Sequence, residues 1–252
     1  LLSKKEFNKM PEKPVLIRSI VTSPFVDSIA KKYNVVVKEC LTGFKWIAYD
    51  EGQMEKDGSG NYVFGLEESY GYLVETEVRD KDGISAAAMC AEMTLYWASK
   101  GKSLLEHLND MYKEYGLFED RAISKYFPGV QGPKIMGGIM TKLRTEGLTS
   151  LGGKKVVKIR DIQQQVAFDP ANPSVKESLP WPKSNVLQFV LEGGTIVSAR
   201  PSGTEPKIKF YINSTVPVSA KTDEALEEAK KAADKLCSDI SEEINAVLNA
   251  AG

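Results

Sequence analysis

Histidine is almost absent from this chain: His107 is the only one among 252 residues. Cysteine is nearly as scarce, with Cys40, Cys90 and Cys237 widely spaced and no CxxC pair. That pattern excludes a histidine–cysteine zinc site and a disulfide framework, and it fits a reducing compartment. Neither sign of charge dominates, because 33 Lys and Arg stand against 34 Asp and Glu for a formal net charge of −1. There is no polybasic field for nucleic acid or a membrane surface, so any bound anion must be held by a local cluster. No apolar run approaches the ~18 residues of a membrane span and no signal peptide is visible, which points to a soluble, cytoplasmic protein. Internal repeats and low-complexity segments are also missing. The chain opens on Leu1-Leu2 rather than Met, which reads as a processed or excised piece.

What is present is ordinary globular material, 42% hydrophobic and 27% charged, long enough for a full core or for two domains. Residues 14–21 (PVLIRSIV) read as a strand, 24–33 as a helix that Ser23 can cap, and 34–39 (NVVVKE) as a second strand, a β-α-β unit with a parallel pair. Residues 83–99 form an alanine-rich helix whose apolar side chains nearly encircle it, which predicts burial. Ser103 and Glu106 make a capping box for a helix to about Tyr115, and Gly116 can end it. One further helix is predicted over 134–144, then strands over 154–159, 162–168, 185–191, 195–199 and 207–213, with Gly193-Gly194 as a hairpin turn and 169–183 as a loop. A long helix from about 222 to 248 closes the chain, with a stripe from Leu226 to Val247. The fold class is therefore α/β followed by α+β, with domains at 1–117 and 118–252.

Four short segments carry the chemistry. Arg200-Pro201-Ser202-Gly203-Thr204-Glu205-Pro206-Lys207-Ile208-Lys209 lies between two predicted strands. A forked guanidinium, two hydroxyls and turn N–H groups are what a phosphate dianion requires, and Lys209 lies on the same strand face as Lys207. Composition alone leaves a basic turn and an anion site equally open. In Gly65-Leu66-Glu67-Glu68-Ser69-Tyr70-Gly71 two carboxylates and a hydroxyl stand among glycines; carboxylates accept well from sugar hydroxyls, though a solvated acidic turn has the same composition. In Arg79-Asp80-Lys81-Asp82-Gly83, Asp82 suits an N-cap, while Lys81 is either a surface lysine or a group facing a cleft. Thr42-Gly43-Phe44-Lys45 reads as a turn beside buried aromatics. His107 sits on a helix surface and carries no assigned role, and Cys237, Met136, Ile139 and Met140 read as core.

Taken together and in this order, T-G-F-K, E-E-S-Y-G, R-D-K-D-G and R-P-S-G-T resemble the motifs of the α-D-phosphohexomutases, the phosphoglucomutase and phosphomannomutase superfamily. The resemblance spans residues 42 to 209. It implies a mixed-sheet α/β third domain and a fourth domain with an antiparallel sheet backed by helices. By motif, Thr42 and Gly43 would contact the sugar, Glu67 and Ser69 would hold its hydroxyls while Glu68 points elsewhere, and Lys81 would face the active site as a candidate catalytic group. Arg200, Ser202, Gly203, Thr204 and Lys209 would bind the phosphate. Phe44 and Tyr70 stand where the phosphomannomutase branch tends to carry histidines, so glucose phosphate is the first choice and pentose or mannose phosphate the alternatives.

Two of the family's parts have no counterpart here. The T-A-S-H-N-P-like phosphoserine loop and the D-G-D-x-D-R loop for Mg²⁺ are both missing; Asp57-Gly58 and Asp82-Gly83 lack the repeated aspartates. The resemblance therefore implies the third and fourth domains of a mutase whose amino-terminal domains carry the donor and the Mg²⁺ ligands, with a glucose 1,6-bisphosphate-type activator in the whole enzyme. The expected partners are a small phosphosugar and those missing domains, and the fragment alone is expected to be inactive. A free-standing phosphosugar-binding module is the other reading.

Overall fold

The computed structural model describes residues 1–250, which form two compact units, Leu1–Tyr115 and a second beginning at Gly116. The first contains α1 (Leu2–Glu6), β1 (Pro14–Ser19), α2 (Phe25–Lys32), β2 (Val36–Cys40), α3 (Phe44–Asp57), β3 (Asn61–Glu67), β4 (Gly71–Leu73), α4 (Gly83–Ser99) and α5 (Leu104–Tyr115). Its sheet has the order β2-β1-β3-β4: β1 is parallel to both neighbours, and β4 returns antiparallel to β3. As the central parallel strand, β1 is apolar toward both faces. Val15 and Ile17 join Phe44, Ile47 and Met54 of α3 on one side, and Leu16 joins Ala30 of α2 on the other.

Arg18 continues the second face but is 3% exposed. Its guanidinium forks onto Asp27 of α2 (Nε–Oδ1 2.7 Å, Nη2–Oδ2 2.6 Å), meets Glu39 on β2 at 3.0 Å, and donates from Nη1 to the carbonyls of Ser19 and Thr22. Burial opposes its charge, and the bonds and fields of Asp27 and Glu39 outweigh that penalty, so its pKa is raised. A buried charge with every donor engaged is tolerable where an unpaired one is not.

The helices at the end of this unit are capped as their sequences suggest. Asp82 accepts from the N–H groups of Ile84 and Ser85 at the start of α4, and Ser103 and Glu106 exchange the reciprocal bonds of a capping box at the start of α5. The predicted burial of α4 is not observed: none of its residues is buried, and Ile84 is 85% and Leu95 73% exposed. Uniform apolarity specifies no direction, and the helix follows a three-residue edge strand; it packs mainly on β4 and α5, and Tyr96 donates to Glu6 of α1. No helix among the described residues is long and apolar enough to cross a membrane.

The second unit contains β5 (Leu117–Tyr126), α6 (Gly132–Thr145), β6 (Ser150–Leu151), β7 (Lys154–Asp161), β8 (Val166–Asp169), β9 (Asn172–Ser178), β10 (Leu187–Leu191), β11 (Ile196–Pro201), β12 (Lys207–Val216) and α7 (Asp223–Asn249). Its sheet is antiparallel in the order β5-β12-β11-β10-β7-β8-β9, with β6 on β7. The Gly193-Gly194 turn, both residues at positive φ, joins β10 to β11. Phe189, Phe210, Ile208 and Ile212 pack with Met136, Ile139 and Met140 of α6 and with Leu236, Cys237, Ile240 and Ile244 of α7. The fold is thus a mixed-sheet α/β unit followed by an antiparallel sheet backed by helices.

Two expected spans differ. Residues 162–165 form the turn between β7 and β8, because Asp161 accepts from the N–H groups of Gln163 and Gln164 and bends the chain there. The expected loop 169–183 contains β9, an edge strand exposed at every residue; without a buried face it lacks alternation, and Pro173 is tolerated at an edge.

Candidate functional site

Because β1, β2 and β3 run parallel, the segments that follow them all emerge at one edge of the sheet. These are 20–24 after β1, 41–43 after β2, and the hairpin 68–70 after β3. Strands β2 and β3 lie on opposite sides of β1, so the winding reverses there, and such a switch point opens a crevice at the carboxyl ends of the strands. Thr42 and Gly43 occupy one side of this edge. Gly43 precedes α3 at φ +108°, a conformation that other residues rarely adopt. The Thr42–Lys45 segment is therefore both a turn and a helix start. The helix itself, α3, was not foreseen from the sequence.

Three of the sequence motifs meet at Gly71. A Cβ there would stand 2.7 Å from Glu67 Cγ, 2.9 Å from Phe44 Cδ2 and 3.0 Å from Lys81 Cγ, so glycine alone lets the three segments close together. Glu67 ends β3 and is 6% exposed, with Lys81 Nζ 3.2 Å from its Oε1. The same ammonium lies 5.2 Å from the Phe44 ring centroid, a cation–π distance, and 3.6 Å from Asp80 Oδ1. Lys81 is thus drawn to the buried carboxylate while its side chain remains 44% exposed.

The hairpin places its next residues differently. Glu68 turns away from Glu67: its Oε2 accepts from Ser19 Oγ at 2.9 Å and lies 3.4 Å from Thr22 Oγ1. Ser69 is exposed at the tip and donates to Glu68 Oε1 at 3.3 Å. Tyr70, at φ +56° and 89% exposed, closes the three-residue loop in the left-handed conformation that such loops require. The contribution of Arg18, Ser19 and Thr22 was not read from the sequence; an arginine inside an apolar strand was the available signal.

In the second unit, Arg200 on β11 pairs directly opposite Lys209 on β12. The two cations share one face of the sheet, and among the described residues neither makes a hydrogen bond or ion pair. Like charges in that register repel. Lys207, two residues from Lys209, is instead engaged by Glu205 and lies over the Tyr126 ring. The intervening turn is ordered by Ser202, whose Oγ accepts from the N–H groups of Thr204 (3.3 Å) and Glu205 (3.2 Å), and whose N–H donates to the Lys207 carbonyl. The Thr204 hydroxyl stands 3.5 Å from Ser202 Oγ. A Cβ on Gly203 would meet nothing within 4 Å, so this glycine leaves the turn backbone open rather than relieving a clash.

His107 stacks on Trp97, ring centroids 3.6 Å apart, and burial lowers its pKa. It lies in α5, outside both groups of residues. A groove of about 540 Å³ beside α6 and the end of α7, edged by Lys134 and Lys142, is lined by none of the candidate sugar- or phosphate-binding residues.

Comparison with known proteins matches these units to one family. The family model for the phosphoglucomutase/phosphomannomutase alpha/beta/alpha domain III fits residues 1–115, and that for the phosphoglucomutase/phosphomannomutase C-terminal domain fits 149–231. The chain belongs to the phosphoglucomutase/phosphomannomutase family. Similar proteins include the phosphoglucomutases of Staphylococcus haemolyticus, 34% identical over 84% of this chain, and of Staphylococcus aureus strain USA300, 37% identical over 81%. This chain spans only about 38% and 36% of their respective lengths. Parafusin of Paramecium, a phosphoglucomutase in its open form, has a similar fold, with a TM-score of 0.58 and 18% identity over 94% of this chain and 37% of its own.

Proposed function

We propose that this chain is the substrate-holding, carboxy-terminal portion of a cytoplasmic phosphoglucomutase-like enzyme, an isomerase that interconverts hexose 1-phosphate and 6-phosphate through a phosphoserine and a bisphosphate intermediate. The observation that carries the proposal is the Arg200–Lys209 pair: two cations opposed across adjacent strands, without an acidic partner among the described residues, beside the Ser202–Thr204 turn. An anion between them would turn repulsion into two charge-assisted contacts, with the arginine able to fork onto two phosphate oxygens.

In this reading the first unit holds the sugar and the second holds the phosphate that is not reacting. Glu67 and Ser69 take sugar hydroxyls, Thr42 and Gly43 flank them, and Lys81 faces the substrate as the candidate catalytic group. Arg200, Ser202, Gly203, Thr204 and Lys209 grip the distal phosphate. Such binding orients the reacting end and so lowers the barrier at a site supplied elsewhere. Among the described residues no three His, Cys, Asp or Glu side chains are grouped to hold a metal ion, so these residues do not fit the Mg²⁺ of the family's chemistry. We assign the ion, the phosphoserine and the use of a bisphosphate activator to domains outside this chain. Glucose phosphate is our preferred substrate because relatives that match this chain are phosphoglucomutases.

The test is an amide-resolved NMR titration of the chain with inorganic phosphate and with glucose 1-phosphate. Shifts should cluster at 200–209 with an affinity no better than about millimolar, near −4 kcal/mol, and should vanish in Arg200→Ala. Shifts elsewhere, or shifts that survive that substitution, would refute the phosphate assignment. A coupled mutase assay of the chain alone should show no turnover, and adding a separately produced amino-terminal portion should restore it.

A further inference from the structure

The sugar-loop reading leaves Glu68 without a role, yet this carboxylate is held by a network that extends into the core. Ser19 and Thr22 are 0% and 5% exposed, and Arg18 fixes both their carbonyls from a guanidinium tied to Asp27 and Glu39. The carboxylate fixes the direction of every hydrogen bond that reaches it. A carboxylate only accepts, so Ser19, 2.9 Å from Glu68 Oε2, must donate its single hydroxyl proton there. Ser19 Oγ also takes the Val21 N–H and stands 2.9 Å from Thr22 Oγ1, whose own proton can go to Ser19 Oγ or to the same Glu68 oxygen 3.4 Å away. At the other end, Ser69 must likewise donate to Glu68 Oε1.

We propose that Glu68 is a positioning residue that fixes the polarity of Ser69: by taking the Ser69 proton, it presents the exposed Ser69 oxygen to substrate as an acceptor only. The proposal rests on the sugar-loop reading given above. Glu67 is also an acceptor, so this end of the loop would require a polyol whose hydroxyls donate. It would discriminate against the same sugar carrying fluorine or a carbonyl at the contacted position. Donors lost from such an analogue leave acceptors facing one another, which is more costly than simply losing a contact.

A double-mutant cycle on the whole chain tests this, with glucose 1-phosphate as the probe and NMR titration as the readout. Glu68→Gln is near-isosteric and half-exposed, and its amide can donate to Ser69 Oγ and so reverse the polarity. It should weaken binding about tenfold when Ser69 is present and leave it nearly unchanged in a Ser69→Ala background. An equal loss in both backgrounds overturns the proposal, because Glu68 would then be acting on something other than Ser69. Among monodeoxyfluoro analogues of the sugar, the wild type should reject at least one that Glu68→Gln accepts more readily; an unchanged ranking also overturns it. Without ligand, Ser19→Ala and Thr22→Val should each shift the Ser69 amide resonance, and two silent variants would show that no linkage exists. If the linkage is present but glucose 1-phosphate shifts nothing, the sugar-loop reading itself fails and takes the recognition role of Ser69 with it.

Discussion

Lys81 Nζ lies 3.2 Å from Oε1 of Glu67, a half-exposed ammonium neutralising a buried carboxylate at the end of a strand. The pairing gives Lys81 a structural duty beside any role toward substrate. Replacing it by methionine keeps the chain length and the packing on Phe44 but leaves the carboxylate unpaired. A fully buried broken pair costs several kcal/mol, and the exposure of Lys81 reduces this to about 1–2 kcal/mol. Urea unfolding should show that loss; a change within ~0.3 kcal/mol would mean that the ion pair does not support Glu67.

The two roles separate in a full-length enzyme containing these domains. Glu67→Gln retains shape and one acceptor oxygen but loses the charge. In our reading, kcat/KM for glucose 1-phosphate should fall about tenfold to a hundredfold, since a bond from a carboxylate to a hydroxyl contributes roughly 1.5–3 kcal/mol. An unchanged value would move the sugar contact away from this hairpin.

Gly71 is the point at which three segments touch, so its side-chain hydrogen is structurally required. In Gly71→Ala the new methyl must displace Glu67, Phe44 and Lys81 together. Overpacking of this kind costs about 1–3 kcal/mol, and here it should also separate Lys81 from Glu67. Thermal unfolding and the Lys81 side-chain resonance would report both effects. A neutral substitution would show that the three segments are not held in contact.

Much of this arrangement was legible because it depends on local rules. The Asp82 and Ser103 caps, the Gly193-Gly194 turn and the apolar stripe of α7 each follow from a few neighbouring residues. The illegible parts depend on position within the sheet. α4 is apolar all round, so nothing in its sequence indicates whether a neighbour covers it. β9 has no buried face to produce alternation. α3 carries Gly52 and several charges within its helical span, and its start looked like a turn because Gly43 does make one. At the site, the motif residues were found by pattern, whereas the Ser19–Glu68 link joins residues 49 apart and follows only from strands β1 and β3 being neighbours.

The opposed cations of β11 and β12 imply a trade between stability and binding. Removing one charge by Arg200→Ala relieves the repulsion, worth about 0.2–1 kcal/mol for directly opposed like charges. In phosphate-free buffer at low salt the variant should therefore be at least as stable as the wild type. With phosphate added the order should reverse, since only the wild type gains from binding. A variant that is less stable in both buffers would show that Arg200 serves packing rather than an anion.

Thiol reactivity should separate the three cysteines. Cys90 on α4 is exposed, while Cys40 and Cys237 are 1% and 0% exposed. Burial, reinforced by the fields of Asp50 and Glu67, pushes the Cys40 thiol up to about 12, and burial also raises Cys237. At pH 8 a chromogenic disulfide should therefore titrate one thiol in the native chain and all three in denaturant. The sign of the pH dependence follows from the same shift. Above about pH 9 an unfolded Cys40 releases its proton while the folded thiol retains it, so the unfolded state binds fewer protons and stability falls as pH rises toward 12. Lysines and tyrosines also titrate in that window, so the comparison is with Cys40→Ala, in which this one contribution is gone. The wild type should lose stability more steeply than the variant between pH 9 and 11; parallel curves would mean that the Cys40 thiol is not held protonated by the fold.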